Sequence, residues 1–182
     1  MTERLTVVFD LDETLIHGSQ SIPVEWADFM SGPYRCMIRP HAFDLINECL
    51  DKYNVGIWTS AGVHHATSVV EALFDDPERL NFVWSAERCT DWRDFEFNEM
   101  VSIKDLRKLK RLGLDLNRIV AIDDSPEKHQ RNFGNLLRVR PWTGEQEGTE
   151  LLDVAKYLNW LSTQPSVRSV EKRGWRNQTH WR

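Results

Sequence analysis

Short apolar runs that each stop on a cluster of polar side chains constrain this chain more than any other feature. Val7-Val8-Phe9 stops at Asp10 and Asp12, Gly56-Ile57-Trp58 at Thr59 and Ser60, and Val120-Ala121-Ile122 at Asp123, Asp124 and Ser125. Near-continuous apolar runs of this length suit strands buried on both faces, the condition of a parallel sheet. Residues 81–85 and 136–139 read as two further strands. Between the strands lie helical patterns. Residues 40–53 place Phe43, Leu45, Ile46, Cys49 and Leu50 behind Pro40, which is expected at the first helical position. Residues 63–74, 104–113 and 149–162 read as helices, with Gly113 stopping the second of these, and 126–133 as a short one. Such alternation predicts an α/β fold with a mostly parallel central sheet and helices on both faces. Two segments interrupt it. Residues 16–38, rich in Gly, Pro and Ser, are expected as a flap, and residues 85–100 as a hairpin or irregular insert.

In an open parallel sheet, ligands bind beyond the carboxyl ends of the strands. The sheet is therefore expected to gather Asp10, Asp12, Thr59, Ser60, Asp123 and Asp124 in one crevice, with Lys104 within reach. Like charges this close need a cation, a shared proton or water. Several carboxylates with few cations suit a hard, oxygen-liganded metal, Mg²⁺ above all. Hydroxyls, a lysine and helix starts that aim N–H groups at an anion complete the parts of a phosphoryl-transfer site. A carboxylate can itself attack phosphorus. Each piece has a plainer reading: Thr59 and Ser125 as helix caps, Lys104 as part of a solvated basic face. An EF-hand loop is a poorer reading of Asp10 and Asp12, because Leu15 stands where that loop needs Gly.

The chain has 182 residues, enough for one domain with a sizeable core. Residues 1–163 are expected to form it. Residues 164–182 are read as a basic tail: Arg168, Lys172, Arg173, Arg176 and Arg182 face Glu171 alone, a balance of +4 against −5 for the whole chain. With Trp175 and Trp181, such a tail suits a nucleic acid or an acidic partner; its plainer readings are a solubilising or disordered end, or one docked back on the acidic body. Three cysteines in no C-x-x-C pair suggest reduced thiols. No signal peptide and no apolar run of membrane-crossing length stand out, so a cytoplasmic protein is expected, or a nuclear one in a eukaryote, neither secreted nor in a membrane.

"DLDET", "WTSA", "IKDL" and "IDDSP" resemble, in this order, the four motifs of the haloacid dehalogenase superfamily. "IRPHAFDLI" and "TELLDVAKYLNWL" resemble its NLI-interacting-factor branch, the small phosphatases of the RNA polymerase II C-terminal domain. The resemblance implies a Rossmann-like three-layer fold with a minimal cap and a Mg²⁺-dependent phosphomonoester hydrolase working through an aspartyl-phosphate. It makes Asp10 the nucleophile and Asp12 the general acid and base. Thr59 and Ser60 would hold the phosphoryl group, and Lys104 would neutralise charge. Asp10, the Asp12 main-chain carbonyl and Asp124, with Asp123, would serve the metal. The implied substrate is phosphoserine or phosphothreonine in a protein. Nucleic-acid ends, nucleotides and other small phosphoesters are the alternative, and a silent binding module the third reading. Two departures stand out: Asp124 replaces the Asn of the C-terminal-domain phosphatases, and residues 84–100 replace their insert. His64, His65, Arg39 and Trp92 are left without a role.

Overall fold

The computed structural model describes residues 4–94, 99–145 and 147–182. In chain order the strands are β1 (Thr6–Phe9), β2 (Ile16–Ser19), β3 (Phe29–Ser31), β4 (Tyr34–Ile38), β5 (Asn54–Trp58), β6 (Phe82–Trp84), β7 (Thr90–Asp94), β8 (Glu99–Ile103), β9 (Ile119–Asp123) and β10 (Leu136–Arg138). The α-helices are α1 (Ala42–Lys52), α2 (Val63–Leu73) and α3 (Glu150–Ser162). Five strands form one sheet in the order β10-β9-β1-β5-β6, every pair parallel, as the alternation predicts. β1 lies at its centre, with Phe9 opposite both Ile57 and Ile122. The carboxyl ends of β1, β5 and β9 therefore come out side by side.

Both faces of the sheet are covered by apolar side chains, in two clusters. The larger gathers Val7, Phe9, Val55 and Ile57 with Leu45 and Ile46 of α1, Val69 of α2 and Leu158 of α3. The smaller packs Val8, Trp58 and Ala121 against Leu106, Leu109 and Phe82. Alternate residues of β1 thus enter opposite layers, which is why the strand shows no polar face. Phe82 fixes its neighbour too: a Cβ at Gly56 would lie 2.3 Å from the phenyl ring.

Several local expectations give way. Residues Leu106–Leu112 and Pro126–His129 are 3₁₀ rather than α-helical. Leu106 and Leu109, spaced by three, stack on one side of the tighter helix, and Asp105 caps it by accepting from Arg107 N–H. Pro40 precedes α1 instead of opening it, because Ala42 N–H closes a turn onto the Arg39 carbonyl and puts His41 at a positive φ of 65°. Residues 16–38 include the three-stranded antiparallel sheet β2-β4-β3. The insert's strands β7 and β8 extend past residue 100 to Ile103, so the hairpin delivers Lys104 directly. Residues 95–98, within the expected insert, lie outside the described residues.

Residues 164–182 lie on the body. Val167, Trp175 and Trp181 belong to the larger core cluster, and Tyr157 of α3 meets Trp175 and Trp181 at ring distances of 5.2 and 5.5 Å. The Trp175 indole donates to the Arg138 carbonyl at 2.9 Å, covering part of the open edge of β10. The expected boundary at residue 163 therefore has no break in packing behind it, since burying two indoles outweighs the solvation of the charges between them.

Candidate active site

Asp10 follows β1, and its N–H still donates to the Ile122 carbonyl of β9 at 3.0 Å. The chain then turns sharply: the N–H groups of Thr14, Leu15 and Ile16 all reach the Leu11 carbonyl, and Glu13 takes a positive φ of 56°. A non-glycine residue there costs about 1 kcal/mol, and such strain concentrates at functional positions. The turn leaves Asp10 buried and Asp12 at the rim.

Lys104 is 1% exposed and joins two strand ends. Its Nζ lies 2.7 Å from Asp10 Oδ1 and donates to Asp123 Oδ2 at 2.6 Å. Lys104 thus ties Asp10 Oδ1 to Asp123, and among the described residues no donor other than a lysine reaches either buried Asp10 oxygen. Lys128 Nζ stands 3.9 Å from Asp10 Oδ2. Burial, then the nearby Asp123 charge, push the Asp10 carboxyl up to about 7 against the pull of Lys104 and Lys128. Burial alone would lower Lys104, but Asp10 and Asp123 hold it above the usual lysine range. Asp123 shows the reverse balance, since Lys104 and His129 overcome burial and hold it below the carboxylate range.

One oxygen from each of Asp10, Asp123 and Asp124 lies within 4.8 Å of the others. A hard divalent cation fits this donor set, and it would satisfy Asp10 Oδ2, buried with its nearest cation, Lys128, 3.9 Å away. Asp123 uses both oxygens on protein donors, Oδ1 accepting from Ser125 N–H at 2.9 Å and Oδ2 from Lys104 and His129. Asp124 accepts from the Ser125 hydroxyl at 3.0 Å and is pushed upward by burial and by Asp123. The Asp12 carboxylate stands outside this cluster. Its Oδ1 lies 2.8 Å from His65 Nε2, whose Nδ1 lies 2.8 Å from the Ser31 hydroxyl of β3. The hydrogen bond to Asp12 raises His65 despite its partial burial.

Thr59 is buried beyond β5, and its Oγ1 accepts from Ala61 N–H at 3.0 Å. That bond occupies a lone pair and leaves the hydroxyl proton to donate. Ser60 is half-buried beside it. The following Gly62 offers no side-chain cap, so the first N–H groups of α2 are not capped by it.

His129 and Asn132, absent from the sequence reading, complete the buried network. Leu106 N–H donates to Asn132 Oδ1, which turns the amide Nδ2 toward the Lys104 carbonyl at 3.1 Å and toward His129 Nδ1 at 3.2 Å. His129 Nδ1 is thereby an acceptor, so the ring proton sits on Nε2 and goes to Asp123 Oδ2 at 2.9 Å. Burial lowers His129, in keeping with a neutral ring. The spacing of three from Pro126 to His129 to Asn132 was the available signal. Arg39 turns out to hold the frame: it donates to the Thr14 and Arg140 carbonyls and pairs with Glu150 at 2.6 Å. His64 is exposed, and Trp92 lies on the insert under Arg131 at 5.5 Å.

The sheet order and these strand ends define a haloacid dehalogenase fold. Solved structures agree: fission yeast RNA polymerase II CTD phosphatase Fcp1 bound to beryllium fluoride superposes with a TM-score of 0.59 at 20% identity, over 90% of this chain and 53% of that one. A haloacid dehalogenase-like hydrolase from Streptococcus pneumoniae gives 0.52 at 17%, over 84% and 91%. Within that fold, the chain belongs to the NLI interacting factor-like phosphatase family, which matches residues 5–168. It is 29% identical over 178 residues to human carboxy-terminal domain RNA polymerase II polypeptide A small phosphatase 1, covering 93% of this chain and 64% of that protein. It is also 31% identical to the Caenorhabditis elegans mitochondrial import inner membrane translocase subunit TIM50, over 87% of this chain and 31% of that protein. The chain spans about three-fifths of the length of the small phosphatases it matches.

Proposed function

We propose that this chain hydrolyses phosphomonoesters on proteins, at phosphoserine or phosphothreonine, through an aspartyl-phosphate on Asp10. One observation carries the reading: Asp10 is buried at the end of β1 between two lysines, Lys104 at 2.7 Å and Lys128 at 3.9 Å, beside the carboxylates of Asp123 and Asp124. A buried carboxylate held beside cations, with its second oxygen out of hydrogen-bond reach of them, is placed to act as a nucleophile. The family and the protein substrate named in its relatives supply the substrate class.

In this reading an Asp10 oxygen attacks phosphorus, and the bond to the leaving serine or threonine oxygen breaks as Asp12 hands that oxygen a proton. Water then attacks the aspartyl-phosphate while Asp12 takes its proton, releasing phosphate and restoring Asp10. His65, tied to Ser31, fixes the Asp12 carboxylate at the rim where both transfers occur. The Thr59 hydroxyl, with Ser60 beside it, binds the phosphoryl oxygens, and Lys104 balances the charge gathering between Asp10 and the phosphate. Asp10 and Asp124, with the Asp12 carbonyl, would hold Mg²⁺, which supplies charge neutralisation at the phosphoryl oxygens. Asp123 serves this set mainly by fixing Lys104.

A second reading is a fold that binds a partner without catalysis; one relative is named for a part in a translocase rather than for hydrolysis. Hydrolysis of an aryl phosphate with and without Mg²⁺, for wild type beside Asp10→Asn, separates the two. Turnover that requires both Mg²⁺ and Asp10 supports the enzyme. A folded wild-type protein inactive on aryl phosphate and on phosphopeptides alike would leave the binder.

A further inference from the structure

A second charged feature lies outside this site. Where residues 164–182 pack along β10, they leave a groove of about 810 Å³, walled by Pro126 and Arg138 on the sheet side and by Arg168, Lys172, Arg173 and Arg176 on the other. Glu171 is the lone carboxylate in its lining. Two of the five cations are balanced, Arg173 by Glu171 at 2.7 Å and Arg176 by Glu150. Arg138 and Arg168 are exposed, and neither they nor Lys172 has a carboxylate at ion-pair distance among the described residues. The groove therefore carries surplus positive charge on a chain whose net charge is −5.

Its position ties it to the catalytic end. Pro126 directly follows Asp123-Asp124-Ser125. Arg138 stands opposite Asp123 in the β9–β10 register, and its Nε donates to the Asp124 carbonyl at 3.3 Å. The groove therefore begins one strand away from the Asp10 crevice, beside the end of β9 that carries Asp123 and Asp124. Single-stranded nucleic acid would ask for aromatic faces on which bases stack. The tail's tryptophans do not offer them: Trp175 is 1% and Trp181 6% exposed. Phe133 is the one exposed aromatic ring in the lining, too few to stack successive bases, and Leu136 and Val170 add apolar surface suited to peptide side chains.

We propose that this groove is a docking site for an acidic segment of the protein substrate, glutamates, aspartates or a further phosphate flanking the phosphoserine that enters the Asp10 crevice. The choice of ligand rests on the phosphatase reading above; the charge of the groove does not. Rim charges of this kind act through electrostatic complementarity and lose their effect with added salt.

Binding to the full chain carrying Asp10→Asn tests this without turnover. Two labelled phosphoserine peptides, one flanked by glutamates and one by glutamines, are titrated by fluorescence anisotropy. The glutamate peptide is expected to bind about tenfold more tightly, a gap that closes with salt and with the added pair Arg168→Glu and Arg173→Glu. Arg168→Gln alone, a milder change at an exposed position, should close part of it. In the otherwise wild-type chain, the charge-reversed pair should leave aryl phosphate hydrolysis unchanged. Equal affinity for the two peptides overturns the proposal, as does a preference that survives charge reversal. An affinity for oligonucleotide that falls in the reversed variant while peptide binding stays constant also overturns it, in favour of nucleic acid. A glutamate preference in a chain that fails to hydrolyse any phosphoester would sink the phosphatase reading and leave the groove.

Discussion

Two lysines are buried in this molecule, and they are treated in opposite ways. Lys104, 1% exposed, sits between the carboxylates of Asp10 and Asp123 and is held above the usual lysine range. Lys172, 6% exposed, donates to the Val167 and Val170 carbonyls at 2.6 and 2.8 Å, and burial pushes it down to about 8. Burial disfavours the charge in both places, so the partners decide the sign. Carboxylates turn a buried lysine into a permanent cation at the catalytic end. Carbonyls merely satisfy its donors and let it serve as packing beneath the tail.

The contrast breaks most visibly at Lys104. Lys104→Met should lower aryl phosphate turnover about 1,000-fold, the scale of losing a charge that stabilises a transition state. The matching test at the other end is Trp175→Ala. It should cost about 3 kcal/mol of stability by denaturant titration, from a lost indole in the core, while kcat of the folded protein stays within about twofold. A large drop in kcat there would erase the division between the two regions.

Asp10→Asn sharpens the comparison through pH. The folded Asp10 pKa, about 7, lies above its ordinary 3.8, so the folded chain holds more protons across that window. Stability of the metal-free protein should therefore fall as pH rises from about 4 to 7 and level off above it. Asp10→Asn removes that fall, making the variant about 4 kcal/mol more stable than wild type at pH 8 and no different near pH 3. Added Mg²⁺ should raise the wild-type melting temperature above pH 7 and narrow the gap. Lys172 gives the smallest effect, with the opposite slope. Its folded pKa lies below 10.5, so the unfolded chain binds the extra proton and stability should rise between about pH 8 and 10.5. Lys172→Met should flatten that rise.

What the sequence disclosed follows the range of the forces involved. β1, β5 and β9 were legible because a strand buried on both faces must be apolar throughout, and the polar residues at their ends then share one side of the sheet. That placed Asp10, Thr59, Asp123 and Asp124 together before any coordinates, and Lys104 near them. The hairpin that carries Lys104 was blurred, since Thr90, Asp91 and Arg93 give no apolar alternation. Leu106, Leu109 and Leu112 at spacing three serve a 3₁₀ turn as readily as an α-helix, and the Asp105 cap and Asn132 decide between them. His65 was visible as a residue but not as a partner of Asp12, because Ser31, its other anchor, comes from a different sheet. The docked tail was one of the readings its composition allowed, but the boundary at residue 163 was misplaced, because five cations hid Val167, Trp175 and Trp181, which the core claims.

The central claim is that Asp10 carries the phosphoryl group, and mass spectrometry tests it most directly. The Asp12→Asn variant, which on this account loses the base for the second-step water, is mixed with aryl phosphate and Mg²⁺, quenched in acid and digested. The expected result is one added phosphoryl group on the peptide containing Asp10, absent when Asp10→Asn is introduced as well. A phosphoryl group found on another residue, or an unlabelled Asp10 in a variant that still turns over at the wild-type rate, would contradict it.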